Sequence, residues 1–344
     1  MNMRRYWPNP VQPDLRSLAA FRMLAALCFI GNFSNVSIGA SQIFGPPAIS
    51  SIHGVWAALM ISATFLLFTG YRSRFCCLLL WAGLSLPSWL APEAMQAAFH
   101  WKILFFWSAF LPISSRYSID RALDLDDSPQ DTASEITAGT LGFTLHFAIL
   151  LFSAPSPILW LWGAAWIPPQ LWPLLRGFLT ADKPLSIYYD RDCGFCKRMT
   201  AILKTFAAIP NQSVRPAQSL PEIAEQMQRE NSWVVVDEKG RSHYRFEAFL
   251  LVLSSLKPLS PFITLLRLKP LFHWGTQAYV HVSTHRSQYS RMSAWLTWRP
   301  LEKSLTQAQN ITAAAALVLL LGLLLLPNTT LIRLFGLLLG FVAY

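Results

Sequence analysis

Charge is what this chain has least of. Only 13% of its 344 residues are Asp, Glu, Lys or Arg, against about a quarter in an ordinary soluble domain. That scarcity, with 53% hydrophobic residues and a mean hydropathy of +0.36, excludes a purely water-borne globule and predicts a membrane protein with a smaller polar part. Acidic residues are the scarcer sign, 18 against 28 basic ones, for a formal charge of +10. Basic clusters interleaved with stacking aromatics in a polar setting are missing, so the excess points to anionic lipid headgroups and not to nucleic acid. Cysteine is sparse and odd in number: Cys28, Cys76, Cys77, Cys193 and Cys196. Five cysteines in a long chain exclude a secreted disulfide framework. A single Cys-x-x-Cys without a second pair or a regular His pair also argues against zinc, so no metal site is expected. The polar, Pro-rich N-terminal stretch lacks a small-residue cleavage site after the first apolar run, which predicts a retained span.

What is present is mostly apolar runs. Six precede the central cysteine pair, at about 17–33, 50–70, 75–91, 97–113, 138–154 and 156–175, and two follow, at about 311–327 and 329–344. Each is near the length that crosses roughly 30 Å of hydrocarbon, although Pro168, Pro169 and Pro173 interrupt the sixth. The expected fold class is therefore a polytopic α-helical membrane protein of about eight spans with an inserted α/β domain, which the strand, Cys-x-x-Cys and helix order at 185–208 makes thioredoxin-like. Its expected divisions are 1–180, 181–300 and a C-terminal hairpin at 301–344. Arg4, Arg5, Arg16, Arg72, Arg74, Arg116, Arg121, Arg176 and Lys183 fall in alternate loops, and the intervening loops carry no Lys or Arg. By the positive-inside rule both termini and the inserted domain face the cytoplasm, as in a bacterial inner-membrane protein. The acidic stretch 124–135 reads as a solvated connector.

The inserted domain centres on Leu185–Cys196, LSIYYDRDCGFC. A short β-branched and aromatic run predicts a buried strand. The segment after the cysteines carries Met199, Ile202, Leu203 and Phe206 on one stripe and stops at Pro210, which predicts a helix. Cysteines between a strand and a helix start have chemical meaning, because the free N–H groups of the first turn favour a thiolate. Cys193, nearer the loop, is the candidate attacking thiol and Cys196 the candidate resolving thiol. Asp190 and Asp192 oppose thiolate formation while Arg191, Lys197, Arg198 and the helix start favour it. Asp190 has two readings, proton acceptor for Cys196 or a turn carboxylate.

The motif YDRDCGFC resembles that of the DCC family of thiol-disulfide oxidoreductases. The segments WVVVDEKGRSHYRFEAFLLVL (233–253) and YVHVSTHR (279–286) resemble that family's later strand–turn–strand–helix and closing segments, so the likeness spans about 183–295. Arg191 stands where the family usually has Gly, and His285 where it has Asn. The resemblance implies thiol–disulfide exchange with a protein or small-molecule disulfide, and no cofactor beyond the cysteine pair. SLAAFRMLAAL (17–27) and FFWSAFLPISSRYSIDRA (105–122) resemble the HTTM domain related to vitamin K-dependent gamma-carboxylase, through Arg22, Trp107, Pro112 and Ser118-x-Asp120. No Lys matches the carboxylase position, so that activity is not implied. A competing reading makes the bundle a lipid- or quinone-binding core with the cysteine domain as redox sensor or docking module. Arg22, His53, His100, Lys102 and His146 are ionisable residues at membrane depth, with headgroup snorkelling for Arg22 and interhelical hydrogen bonding for the histidines as the ordinary outcomes.

Overall fold

A computed structural model describes residues 14–45, 51–90, 93, 96–123, 143–144, 161, 163–181 and 184–297. They divide into two compact units, one holding the described residues up to 116 with 143–169, the other holding 117–123 with 170–297.

The first unit is helical: α1 (Leu15–Phe44), α2 (Ser51–Thr69), α3 (Ser73–Leu90) and α4 (Phe99–Ser108). Asp14 starts α1 by accepting the Arg16 N–H at 2.8 Å, and Gly45, at φ +83°, ends it in a conformation that costs other residues more. Leu18, Phe21, Arg22, Ala25 and Phe29 are buried at helical spacing, yet the opposite face carries Leu24, Leu27, Ile30 and Ile38 exposed. A helix apolar all round has no face made for water. The core is aromatic, with Phe29 meeting Trp101 and Phe105 edge-on at 5.2 Å each. Gly83 lets α3 close on α2, since a Cβ there would fall 2.2 Å from the Met60 methyl, and Trp56 donates to its carbonyl at 2.8 Å.

Three helices, α1, α2 and α3, are long and apolar enough to cross a membrane. This is consistent with a membrane protein, but the expectation of eight spans is not supported. The fourth stretch forms a ten-residue helix, which rises only about 15 Å. The sixth, where described, is broken at its prolines into two 3₁₀ turns (164–166 and 169–171) before α6 (Trp172–Leu179) begins. The fifth, all but 143–144, and the seventh and eighth lie outside the described residues, as do His146 and the acidic stretch 124–135.

The second unit holds α5 (Ile119–Leu123), α6, and a small mixed sheet with its helices. Its elements continue as β1 (Ser186–Tyr189), α7 (Gly194–Phe206), β2 (Val214–Pro216), α8 (Pro221–Glu230), β3 (Val234–Val236), β4 (Ser242–Tyr244), α9 (Arg245–Leu253), α10 (Ser260–Leu266), α11 (Lys269–Thr284) and α12 (Arg286–Ala294). The strand order is β2–β1–β3–β4; β1 and β2 run parallel, and the other two pairs are antiparallel. Alternation along β1 sends Ile187 to one face, with Leu185, Ala207, Val235, Ala248 and Val252, and Tyr188 to the other, with Ala217, Met227 and Val234. The β3–β4 turn is built on Asp237, whose carboxylate accepts the Lys239 and Arg241 N–H groups at 2.9 Å each, with Gly240 supplying φ +75°.

Candidate functional site

Strand β1 ends at Tyr189 and the chain turns through Asp190–Cys193 into α7. Asp190 Oδ1 accepts the Asp192 N–H at 3.0 Å, an Asx-type turn. Because β1 and β2 are parallel, the loop after β2 lies beside this turn. From it Gln218 donates to Asp190 Oδ1 at 2.9 Å and to Asp192 Oδ2 at 3.5 Å, and accepts the Arg191 N–H at 3.3 Å. Of the two roles weighed for Asp190, the turn carboxylate is the one that carries these bonds. The Arg191 and Asp192 side chains lie in the exposed part of the loop.

Cys193 is itself the N-cap of α7, in extended conformation, and its sulfur accepts the Cys196 N–H at 3.3 Å. Lys197 N–H bonds the Cys193 carbonyl at 3.0 Å, closing the first turn. The Cys193 sulfur thus occupies the place where an Asp or Ser oxygen ordinarily caps a helix. There the unpaired N–H groups and the positive end of the helix dipole stabilise a negative sulfur. Cys196 is in a different environment. Burial pushes its thiol up to about 12, reinforced by hydrogen bonding to, and negative charge on, Cys193 and by Asp190, with Arg286 opposing. The pair is therefore asymmetric: one sulfur caps the helix, and its buried neighbour holds its proton. Both are free thiols here.

Helices α11 and α12 wall the site. Arg198 does not face the sulfurs, contrary to its expected support of the thiolate. Its guanidinium donates to the Ser290 carbonyl at 2.7 Å and to Ser293 Oγ at 2.8 Å, tying α7 to α12. Gly194 permits that approach, since a Cβ would meet Ser290 Oγ at 3.2 Å. Phe195 packs on Tyr289, ring centroids 5.8 Å apart. Tyr279 reaches Ser232 Oγ at 3.2 Å, its phenol raised above the ordinary tyrosine value by burial, and Arg286 donates to the Asn231 carbonyl at 2.7 Å. These are the Tyr and Arg of the 279–286 segment; Arg286 acts electrostatically on Cys196, and Cys196 in turn acts on Tyr279. Ser232 and Asn231 form the entry to β3; no cis peptide occurs among the described residues.

Nothing local in AQS or NSW marks Gln218 or Ser232, and Tyr279 stands out in the sequence only as the first residue of the family-like segment 279–286; the parallel pairing of β1 with β2 and the packing of α11 bring the three to the dithiol.

Residues 187–292 match the family model for DCC1-like thiol-disulfide oxidoreductases. The match runs from β1 into α12 and covers a little under a third of the chain, including both cysteines, the Gln218 loop, Tyr279 and Arg286. No curated protein and no solved structure matches the chain. The match does not reach residues 1–186, where the HTTM likeness rests on a few residues alone.

Elsewhere two of the ionisable residues expected at depth, Arg22 and His53, are held by hydrogen bonds within the first unit. Arg22 is buried and donates to the Ile113 carbonyl at 2.8 Å and to that of Arg116 at 3.4 Å, so it does not snorkel to headgroups. His53 sits between Ser37 Oγ at 2.9 Å and the Gly45 carbonyl at 3.1 Å; a carbonyl only accepts, so Nδ1 carries the proton. Cys76 and Cys77 are buried in the first unit's core and Cys28 is exposed on α1. Among the described residues no group of three His, Cys, Asp or Glu is placed to hold a metal ion.

Proposed function

We propose that this chain is a membrane-anchored thiol–disulfide oxidoreductase in which Cys193 attacks and Cys196 resolves. The single observation that carries the reading is the Cys193 sulfur at the α7 N-cap, accepting the Cys196 N–H within a segment that matches the oxidoreductase family. The Cys193 thiolate attacks one sulfur of a substrate disulfide, forming a mixed disulfide and releasing the other sulfur as thiolate, which takes up a proton. Cys196 then gives up its proton and attacks Cys193 Sγ. The substrate's second sulfur leaves, the Cys193–Cys196 disulfide forms, and two electrons have passed to the substrate. A dithiol reductant resets the pair by the reverse steps. The high proton affinity of Cys196 keeps it from competing as nucleophile until Cys193 has lost its negative charge to the mixed disulfide.

Gln218 holds the Asp190–Asp192 turn so that Cys193 stays at the cap, and exposed Arg191 adds positive charge along the approach path. The strand order β2–β1–β3–β4, with one parallel and two antiparallel pairs and helices on both faces, supports a thioredoxin-like reading of about 181–300. In the same reading residues 1–180 form an HTTM-like bundle and 301–344 a hairpin. The dithiol faces the cytoplasm of a bacterial inner membrane, a side supported by the Lys/Arg asymmetry of the loops. The partners are membrane lipid and a disulfide substrate.

The test is trapping in cells. Cys196→Ser should accumulate a mixed disulfide through Cys193, and Cys193→Ser should accumulate none. Adducts only on Cys196 in the Cys193→Ser protein would reverse the roles, and adducts in neither would remove the exchange activity.

A further inference from the structure

The acidic residues of the second unit are confined to its earlier part. No Asp or Glu lies between Glu247 and Glu302, a stretch that carries Lys257, Arg267, Lys269, Arg286, Arg291 and Arg299, and α6 carries Arg176 as its one charge. The exposed large apolar side chains are equally uneven. Most of those in this unit lie on α6 and on the α10–α11 pair, including Leu174, Phe178, Phe262, Leu265, Leu268 and Trp274. Phe178 and Trp274 are about three-quarters exposed, at 75% and 74%.

These two elements are neighbours. Thr180 and Leu256 form an antiparallel bridge, Ala181 N–H bonds the Ser255 carbonyl at 2.7 Å, and the Lys257 ammonium caps the α6 carbonyl of Gly177. The inward faces of the helices are already occupied. Ile263 is buried; Phe272 packs on Phe246 at 5.7 Å; and Phe246 fills the place of a Cβ at Gly275. The apolar residues left outside are therefore a second face and not a loosely packed core. A soluble surface rarely concentrates this much apolar area beside charge of a single sign.

We propose that the apolar, cationic face made by α6 and the α10–α11 pair docks on an anionic phospholipid surface. Leucines, phenylalanine and tryptophan enter the boundary between headgroups and acyl chains, while Arg176, Arg267 and Lys269 meet lipid phosphates. Charge selects this occupant. A protein partner with an acidic rim would match the arginines but leave the breadth of apolar surface unexplained, and a second copy would bring like charge against like. The α6 helix also begins within the apolar stretch at 156–175, so the chain enters this face from a segment of membrane-like composition. The proposal does not depend on the dithiol chemistry, and its test reads lipid contact at a site away from the cysteine pair.

The test uses the full chain in nanodiscs of phosphatidylcholine alone or of phosphatidylcholine with phosphatidylglycerol at about 3:1. A spin label at Trp274→Cys, in a variant with the five native cysteines replaced, is read by power saturation with oxygen and with a water-soluble nickel chelate. A label at Glu222→Cys on α8 is the control. The label at 274 should be oxygen-accessible and shielded from nickel in the phosphatidylglycerol discs. The shielding should fall at least threefold in phosphatidylcholine alone or in the Arg267→Gln/Lys269→Gln variant, and the control should be nickel-accessible throughout. If the cysteine-free chain does not fold, a benzoylphenylalanine at 274 in the native-cysteine chain should crosslink to phospholipid. Nickel accessibility at 274 in both discs overturns the proposal. So does shielding that ignores lipid charge, or a crosslink to protein, either of which would mean that another segment or copy covers the face.

Discussion

The asymmetry of the two thiols has a measurable size. Burial, the largest cause, and the adjacent Cys193 sulfur push the Cys196 thiol up to about 12. At pH 8 an unperturbed thiol of pKa about 8.5 is roughly one-quarter thiolate, whereas one at about 12 is about 10⁻⁴ thiolate. A thiolate grows more nucleophilic as its pKa rises, with a Brønsted slope of about 0.45, which returns about 40-fold and leaves a net deficit of about 60-fold. In Cys193→Ser the serine restores a hydrogen-bonding oxygen but not the charge. If only half of the rise survives, the deficit is about tenfold. Reduced Cys193→Ser protein pulsed with iodoacetamide should therefore alkylate Cys196 about 10- to 60-fold more slowly than an unstructured peptide of the same sequence, by quantitative mass spectrometry. Its rate should climb through pH 10 without levelling. A rate that levels by pH 9 would refute the reasoning, because Cys196 would then be an ordinary thiol and equally able to attack. The same shift has a stability consequence. Between about 8.5, the value of an unperturbed thiol, and about 12 the folded thiol keeps a proton that the unfolded one loses. The reduced fold should thus lose stability as pH rises through that window.

Gln218→Ala removes three exposed bonds to the 190–192 turn, an effect of about 1 kcal/mol on loop order, and should slow mixed-disulfide formation about fivefold with the midpoint of thermal unfolding unchanged. Asp237 is held far below the carboxylate range, chiefly by the Arg241 N–H, with His243 and the Arg241 guanidinium adding to it. Its stabilisation is present above about pH 4 and lost as pH falls through the lowered value, so Asp237→Asn should lower the melting temperature at pH 7 and flatten the acid limb of the stability profile. Gly275→Ala sets a methyl 2.3 Å from the Phe246 ring, and overpacking of about 1–3 kcal/mol should outweigh the helix gain of about 1 kcal/mol, lowering the denaturant midpoint of the second unit.

How much of this was legible in the sequence follows from the range of the forces involved. The strand at 186–189 and the helix after the cysteines are set by local periodicity and a closing proline and are readable, whereas the β3–turn–β4–α9 succession enters only through the resemblance of 233–253 to the DCC family. The apolar runs were readable as runs but not as spans. Length and hydropathy for 97–113 satisfy a membrane criterion, yet the helix there stops at Ser108, and only packing of Trp101, Leu104, Phe105 and Trp107 into the first unit's core shows why its apolarity is spent on protein contacts. The prolines at 168, 169 and 173 signalled the break in the sixth run, and the 3₁₀ turns appear there.

At the site the limit is different. The cysteines identified themselves because a cap position and an i,i+3 spacing are local facts. Arg198 misled because charge was counted by distance along the chain. It stands two residues past Cys196, but its direction is set by Ser290 and Ser293, more than ninety residues away. Once those hydroxyls and the Ser290 carbonyl take the guanidinium, the cation that acts on Cys196 is Arg286, which sequence distance would have ranked last. That exchange has a mechanical meaning. Arg198 fastens α7 to α12, and Arg286, at the first position of α12, is thereby held beside the resolving thiol. The balance between the two sulfurs thus depends on how α12 is seated, and displacing that helix would remove a positive charge that favours a Cys196 thiolate.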